Sequence, residues 1–110
     1  MIDYSDAIKT ERMGVVRDAL AGGRMELLQD KFLLARIPLG NGTVEGAELS
    51  FAVSEGAAML GGTPTAARLL DYYGRIAAEG LVVGVDVLMD DENISAGQTV
   101  RVLSCVIRHR

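Results

Sequence analysis

Glycine returns along this chain at intervals too short for a run of long helices. There are 13 glycines against 2 prolines, and from residue 22 onward they separate short apolar stretches. Glycine reaches the positive φ angles of tight turns without steric cost. A chain punctuated in this way breaks into many short elements joined by turns, which is the pattern of β architecture. The segment from residue 5 to residue 21 stands apart. Ser5 or Asp6 can cap a helix there by offering a side-chain oxygen to the first free N–H groups. Ile8, Val15, Val16, Ala19 and Leu20 recur at helical spacing, and Gly22-Gly23 supplies the stop. Gly14 weakens the middle by about 1 kcal/mol relative to alanine.

Beyond Gly23 the period shortens. Met25 to Leu28 is a short strand candidate, followed by a turn at Gln29-Asp30-Lys31. Leu33, Ala35, Ile37 and Leu39 alternate, and so do Ala47, Leu49, Phe51 and Val53, the mark of half-buried strands. Gly40-Asn41-Gly42 and Gly61-Gly62-Thr63-Pro64 are turns. Ala66 to Tyr72 and Arg75 to Glu79 form a hairpin about Gly74. A helix starting at Pro64 and running to Tyr73 competes with its first strand, because alanine and leucine are good helix formers. Val82 to Met89 and Thr99 to Arg108 are the most β-branched stretches and read as strands. The pattern predicts a mainly β fold, a β-sandwich or jelly-roll-like domain with one N-terminal helix. Residues 1–110 form a single domain, with a helical arm over 1–22 and the sandwich over 24–110. Leu49, Phe51, Val53, Leu69, Ile76, Val85, Val87, Val100, Val102 and Val106 are its expected core.

The charge balance restricts partners. The formal net charge is −4, which disfavours nucleic acid, whose binding rests on Lys and Arg neutralising phosphates. It disfavours anionic membranes as well, and no apolar run approaches the ~20 residues that span a bilayer. The opening Met1-Ile2-Asp3-Tyr4-Ser5-Asp6 has neither the basic start nor the apolar stretch of a secretory signal. Cys105 is the single cysteine, so no disulfide forms within the chain and a reducing compartment is expected.

No catalytic, cofactor-binding or metal-binding set emerges. His109 is the single histidine, placed between Arg108 and Arg110 beside the chain end, where no third group can hold it as a catalytic base. Cys105 lies in an apolar run and reads as a small core residue. Regular alternation puts Arg101 on its side of the strand, four residues away. Asp86, Asp90, Asp91, Glu92 and Asn93 are hard-cation ligands by type. Their spacing is not that of an EF-hand, and a solvated acidic turn is the expectation. With no tryptophan, 3 tyrosines and 2 phenylalanines, the chain is poor in the aromatic platforms that glycan binding uses. The expectation is therefore a non-enzymatic building block.

Two stretches carry a family resemblance. One runs Thr63-Pro64-Thr65-Ala66-Ala67-Arg68-Leu69-Leu70-Asp71-Tyr72-Tyr73-Gly74-Arg75-Ile76-Ala77-Ala78-Glu79-Gly80. The other runs Asp86-Val87-Leu88-Met89-Asp90-Asp91-Glu92-Asn93-Ile94-Ser95-Ala96-Gly97-Gln98-Thr99-Val100-Arg101-Val102. As a set, with the opening Asp6-Ala7-Ile8-Lys9-Thr10-Glu11-Arg12, they resemble small proteins from the structural-gene region of tailed bacteriophages. The chain departs from that pattern around Arg24 to Leu39, where the group often has a longer, glycine- and proline-rich segment. The resemblance implies a virion component made in the cytoplasm of the bacterial host, most like a capsid decoration or cement (minor capsid) protein. It implies the major capsid protein or other virion proteins as partners, and a homo-oligomer, dimer or trimer. A tail, neck or baseplate part is the alternative, followed by a ligand- or glycan-binding β-sandwich. The candidate contact residues are the apolar positions of the arm, Ile8, Val15, Val16 and Leu20, the paired Tyr72 and Tyr73, and the basic Arg108 and Arg110.

Overall fold

The computed structural model describes residues 5–51 and 54–108. The helix α1 spans Asp6–Leu20, and Ser5 is its cap, the Ser5 hydroxyl accepting from the Ile8 N–H at 3.4 Å. Among the described residues nine strands follow, β1 Arg24–Gln29, β2 Phe32–Pro38, β3 Gly42–Glu45, β4 Glu48–Phe51, β5 Ser54–Ala57, β6 Ala66–Leu70, β7 Ile76–Val82, β8 Val87–Met89 and β9 Thr99–Arg108. The chain is mainly β, with two antiparallel sheets and one N-terminal helix, compatible with a β-sandwich.

The first sheet has the order β2-β1-β6-β7. In the second, β3 pairs β4, β4 and β5 pair successive halves of β9, and β8 also pairs β9. The two sheets touch at the Ala35–Ala58 and Val83–Val87 bridges. Their inner faces supply Met25, Leu27, Ile37 and Leu69 from one side and Leu49, Phe51, Val87, Val100 and Val102 from the other. Burial of such side chains is the main favourable term in folding. Met13 and Leu20 of α1 complete the same core, laid against β3 and β4.

The helix exit fixes the geometry of the first sheet. A Cβ at Gly23 would overlap the Leu70 carbonyl oxygen, so β6 passes within backbone contact of the turn that leaves α1. Only glycine fits there.

The stretch from residue 64 to 73 is strand and turn, not helix. Ala67 and Leu69 alternate into the core, and burial there outweighs intrinsic helix preference. The segment Val82 to Met89 is not one strand. Gly84 takes φ 94, and the Asp86 carboxylate accepts from the Val82 N–H at 2.8 Å, which folds residues 84–86 into a turn. This leaves Val85 69 % exposed, against the expectation of a core residue. Ile76 is half exposed on the outer side of the edge strand β7, and Val53 lies outside the described residues.

A bulge in β9 moves Val106 out of the core and Arg101 away from Cys105. β9 alternates regularly until Leu103, which the pairing with β8 passes over, Leu88 facing Ser104 and Met89 facing Val102. Such a bulge reverses which parity faces inward. Val100 and Val102 are buried before it and Cys105 after it, while Val106 is only half-buried and Arg101 stands on the face opposite Cys105. Leu34 is passed over in the same way between β1 and β2, which buries it beside Ala35.

Candidate interaction surface

Tyr72 and Tyr73 form the tip of the β6–β7 hairpin and are 72 % and 78 % exposed. Their position is fixed by Asp71. One oxygen of its carboxylate accepts from the Tyr73 and Arg75 backbone N–H groups, both at 2.9 Å, and the other from Arg75 Nε at 2.8 Å. The Arg75 backbone N–H is the strongest influence holding the Asp71 carboxyl below its ordinary range. Its partial desolvation works the other way, and the Arg75 side chain adds to the lowering. The two rings meet edge to face with centroids 5.4 Å apart, and the Arg75 guanidinium lies 5.4 Å from the Tyr73 ring centre. Tyr72 also lies over Gly22, where an added Cβ would stand 3.1 Å from its Cδ2. The turn thus holds two aromatic rings outward in one arrangement, with few degrees of freedom left to lose on contact.

The helix presents a different face from the one its spacing predicts. Its inward stripe is Met13, Val16 and Leu20, and Leu20 is fully buried, so Leu20 belongs to the core and not to a contact surface. Val16 is half-buried against that core. Ile8 and Val15, at 44 % and 69 % exposure, point outward. Arg108, at the end of β9, pairs with Glu48 of β4 at 2.9 Å, and Arg110 lies outside the described residues.

Sequence reasoning passed over a second cluster. Glu26, in the centre of β1, is 2 % exposed although it sits on the outer face of the first sheet. Its cross-strand neighbours are Arg36 on β2 and Arg68 on β6. Arg68 Nε donates to Oε1 at 2.6 Å and Arg36 Nε to Oε2 at 2.8 Å. Burial pushes the Glu26 carboxyl up, but the hydrogen bonds and positive charges of the two arginines prevail and hold it below the ordinary carboxylate value. Arg24 stands two residues from Glu26 on the same face, beside the tyrosine turn, where a Cβ on Gly74 would lie 3.3 Å from Arg24 Nη2. The signal was present as charged residues alternating with core residues, Arg24 and Glu26 about Met25, Arg36 between Ala35 and Ile37, and Arg68 between Ala67 and Leu69. Strand register was needed to bring them into one row.

The remaining candidates are chemically quiet. Cys105 is buried, and its thiol is pushed up to about 12, first by burial and then by the nearby Asp86 charge. Asp90, Asp91 and Glu92 are exposed, and Asp91 spends an oxygen on the Asn93 N–H. Among the described residues no three His, Cys, Asp or Glu side chains gather closely enough to hold a metal ion. Among the described residues no helix is long and apolar enough to cross a membrane. An open cleft of about 520 Å3 lies between the end of α1 and the β2–β3 connection, with Leu20, Leu39 and Phe51 among its walls. Comparison with family models, curated proteins and solved structures returns no match for this chain.

Proposed function

We propose that this chain is a non-enzymatic structural protein of a tailed-bacteriophage particle, acting as a capsid decoration or cement protein that binds and stabilises the head shell. The sequence resemblance points to the particle, and one structural observation carries the mode of action. The Tyr72–Tyr73 pair is held outward by the Asp71–Arg75 brace without covering any core. Tyrosine gives a large, amphipathic contact area, and tyrosines dominate the energetics of many protein interfaces. A braced exposed pair is suited to docking on a preformed surface, since little side-chain freedom remains to be lost.

The test is to add the purified protein to heads that lack it and to image the particles by electron cryomicroscopy. Regularly repeated outer density on the shell is the expected result. Replacing both tyrosines with alanine should remove that density while leaving the circular dichroism spectrum unchanged. Density confined to the tail or neck would replace the decoration role with a tail or neck role. Absence of the protein from every part of the particle would overturn the reading altogether.

A further inference from the structure

We infer that the outer face of the first sheet is the docking face, and that it receives a carboxylate-bearing protein surface through the row Arg36–Glu26–Arg68 and the adjacent Arg24. This deepens the structural role proposed above and rests on it for the identity of the partner.

Positive charge collects on this face. The chain carries a formal net charge of −4, yet on this face three guanidinium groups surround one carboxylate. Glu26 is shared by two of them, and Arg24 makes no ion pair among the described residues. Glu79, in the β7 bulge opposite Arg68, makes no ion pair with it. Each guanidinium has five N–H donors, whereas one carboxylate offers about four acceptor sites. The row therefore holds a surplus of donors and of positive charge that its own carboxylate cannot satisfy.

Geometry adds to this. Cross-strand pairing through Glu26 fixes Arg36 and Arg68, so their planar groups are preorganised, and arginine in that state suits bidentate carboxylate recognition. The charged row lies between apolar positions on the same face. Leu33 and the half-exposed Val82 lie on one side of it, and Pro38 and the half-exposed Ile76 on the other. Arg24 joins the row to the tyrosine tip. Arginine and tyrosine among apolar residues make up the composition of a protein interface. A polyanion such as DNA would meet a short basic row on an otherwise acidic molecule, so a protein bearing carboxylates is the better complement.

Arg24→Glu is the decisive variant, because Arg24 supports no internal pair. Arg101→Glu makes the same charge change at an exposed position of β9 in the other sheet and serves as the control. Arg24→Glu should weaken binding to heads by roughly tenfold or more, with an unchanged melting temperature, while Arg101→Glu should change it less than about twofold. Raising the salt concentration should weaken the wild-type interaction. Equal losses for the two variants, or none for Arg24→Glu, would overturn the inference.

A second measurement needs no particle. Nuclear magnetic resonance shift changes on adding a glutamate-rich peptide should map to β1, β2 and β6 and vanish in Arg24→Glu. If they do so while the wild type binds no particle, the proposed function fails and this face stands. Scattered shifts, or larger ones with a short DNA duplex, would overturn it. So would self-association of the protein lost in Arg24→Glu, which would place the carboxylates on a second copy.

Discussion

At the scale of single residues, burial pushes both Cys105 and Glu26 upward, and the presence or absence of neighbouring cations separates their chemistry. Cys105 has no cation to offset its desolvation, so its thiol is raised to about 12 and stays protonated near neutrality. We expect no reaction with a thiol reagent at pH 8 in the native protein and full reaction after denaturation. Rapid native labelling would contradict the burial. Glu26 has two cations, and its folded value lies below the ordinary 4.5. A carboxyl depressed on folding contributes stability above its unfolded value and loses that contribution as pH falls through the folded one. The melting temperature should therefore drop on acidification below about pH 4.5, and the acid limb should be shallower in Glu26→Gln. An identical acid limb in the variant would show that other carboxylates govern it. Neither result depends on what the protein binds.

Elements were legible where regular period and burial agree. β9 runs from Thr99 to Arg108 as its β-branched pattern predicts, and the glycine pair after α1 ends the helix. The buried face of α1 is not legible from spacing, because its apolar side chains lie on more than one side. Met13, Val16 and Leu20 turn inward, and the core chose them over Ile8 and Val15. Two bulges hid further detail, since a residue passed over at Leu34 or Leu103 inverts every later position in a period-two reading. The arginine row was illegible for a related reason. Arg24, Arg36 and Arg68 lie far apart along the chain and meet only once the β1–β2 and β1–β6 registers are known. The tyrosine turn, by contrast, is local, and the Asp71 carboxylate is its main hydrogen-bonding brace. Asp71→Ala should speed amide exchange at Tyr73 and Arg75 several-fold with little change in melting temperature, because the turn covers no core. Unaltered exchange would assign the rigidity to the rings themselves.

For the molecule as a whole, α1 belongs to the folded core. Met13 and Leu20 are 3 % and 0 % exposed, and they close over Leu49 and Phe51. Large-to-small changes at one such site cost about 2–5 kcal/mol, and a domain of this size has about 5–15 kcal/mol to lose. Removing residues 1–21 should therefore unfold the domain or lower its melting temperature steeply, as read by circular dichroism. A truncated chain with the full melting temperature would return the helix to the status of a detachable arm. The surface open to the proposed contact is then what α1 and the sheets leave outside, which includes Ile8, Val15, the tyrosine tip and the outer face of the first sheet.

The placement of the aromatic residues also determines how the protein reports on itself to light. The sequence has 3 tyrosines and no tryptophan, and Tyr72 and Tyr73 already stand in water in the folded state. Unfolding moves those two rings from solvent to solvent, so their ultraviolet emission should show little cooperative step across a thermal melt. The proposed docking would move them from solvent into contact. Emission from Tyr72 and Tyr73 is thus a gauge of the proposed assembly, while backbone dichroism remains the gauge of folding.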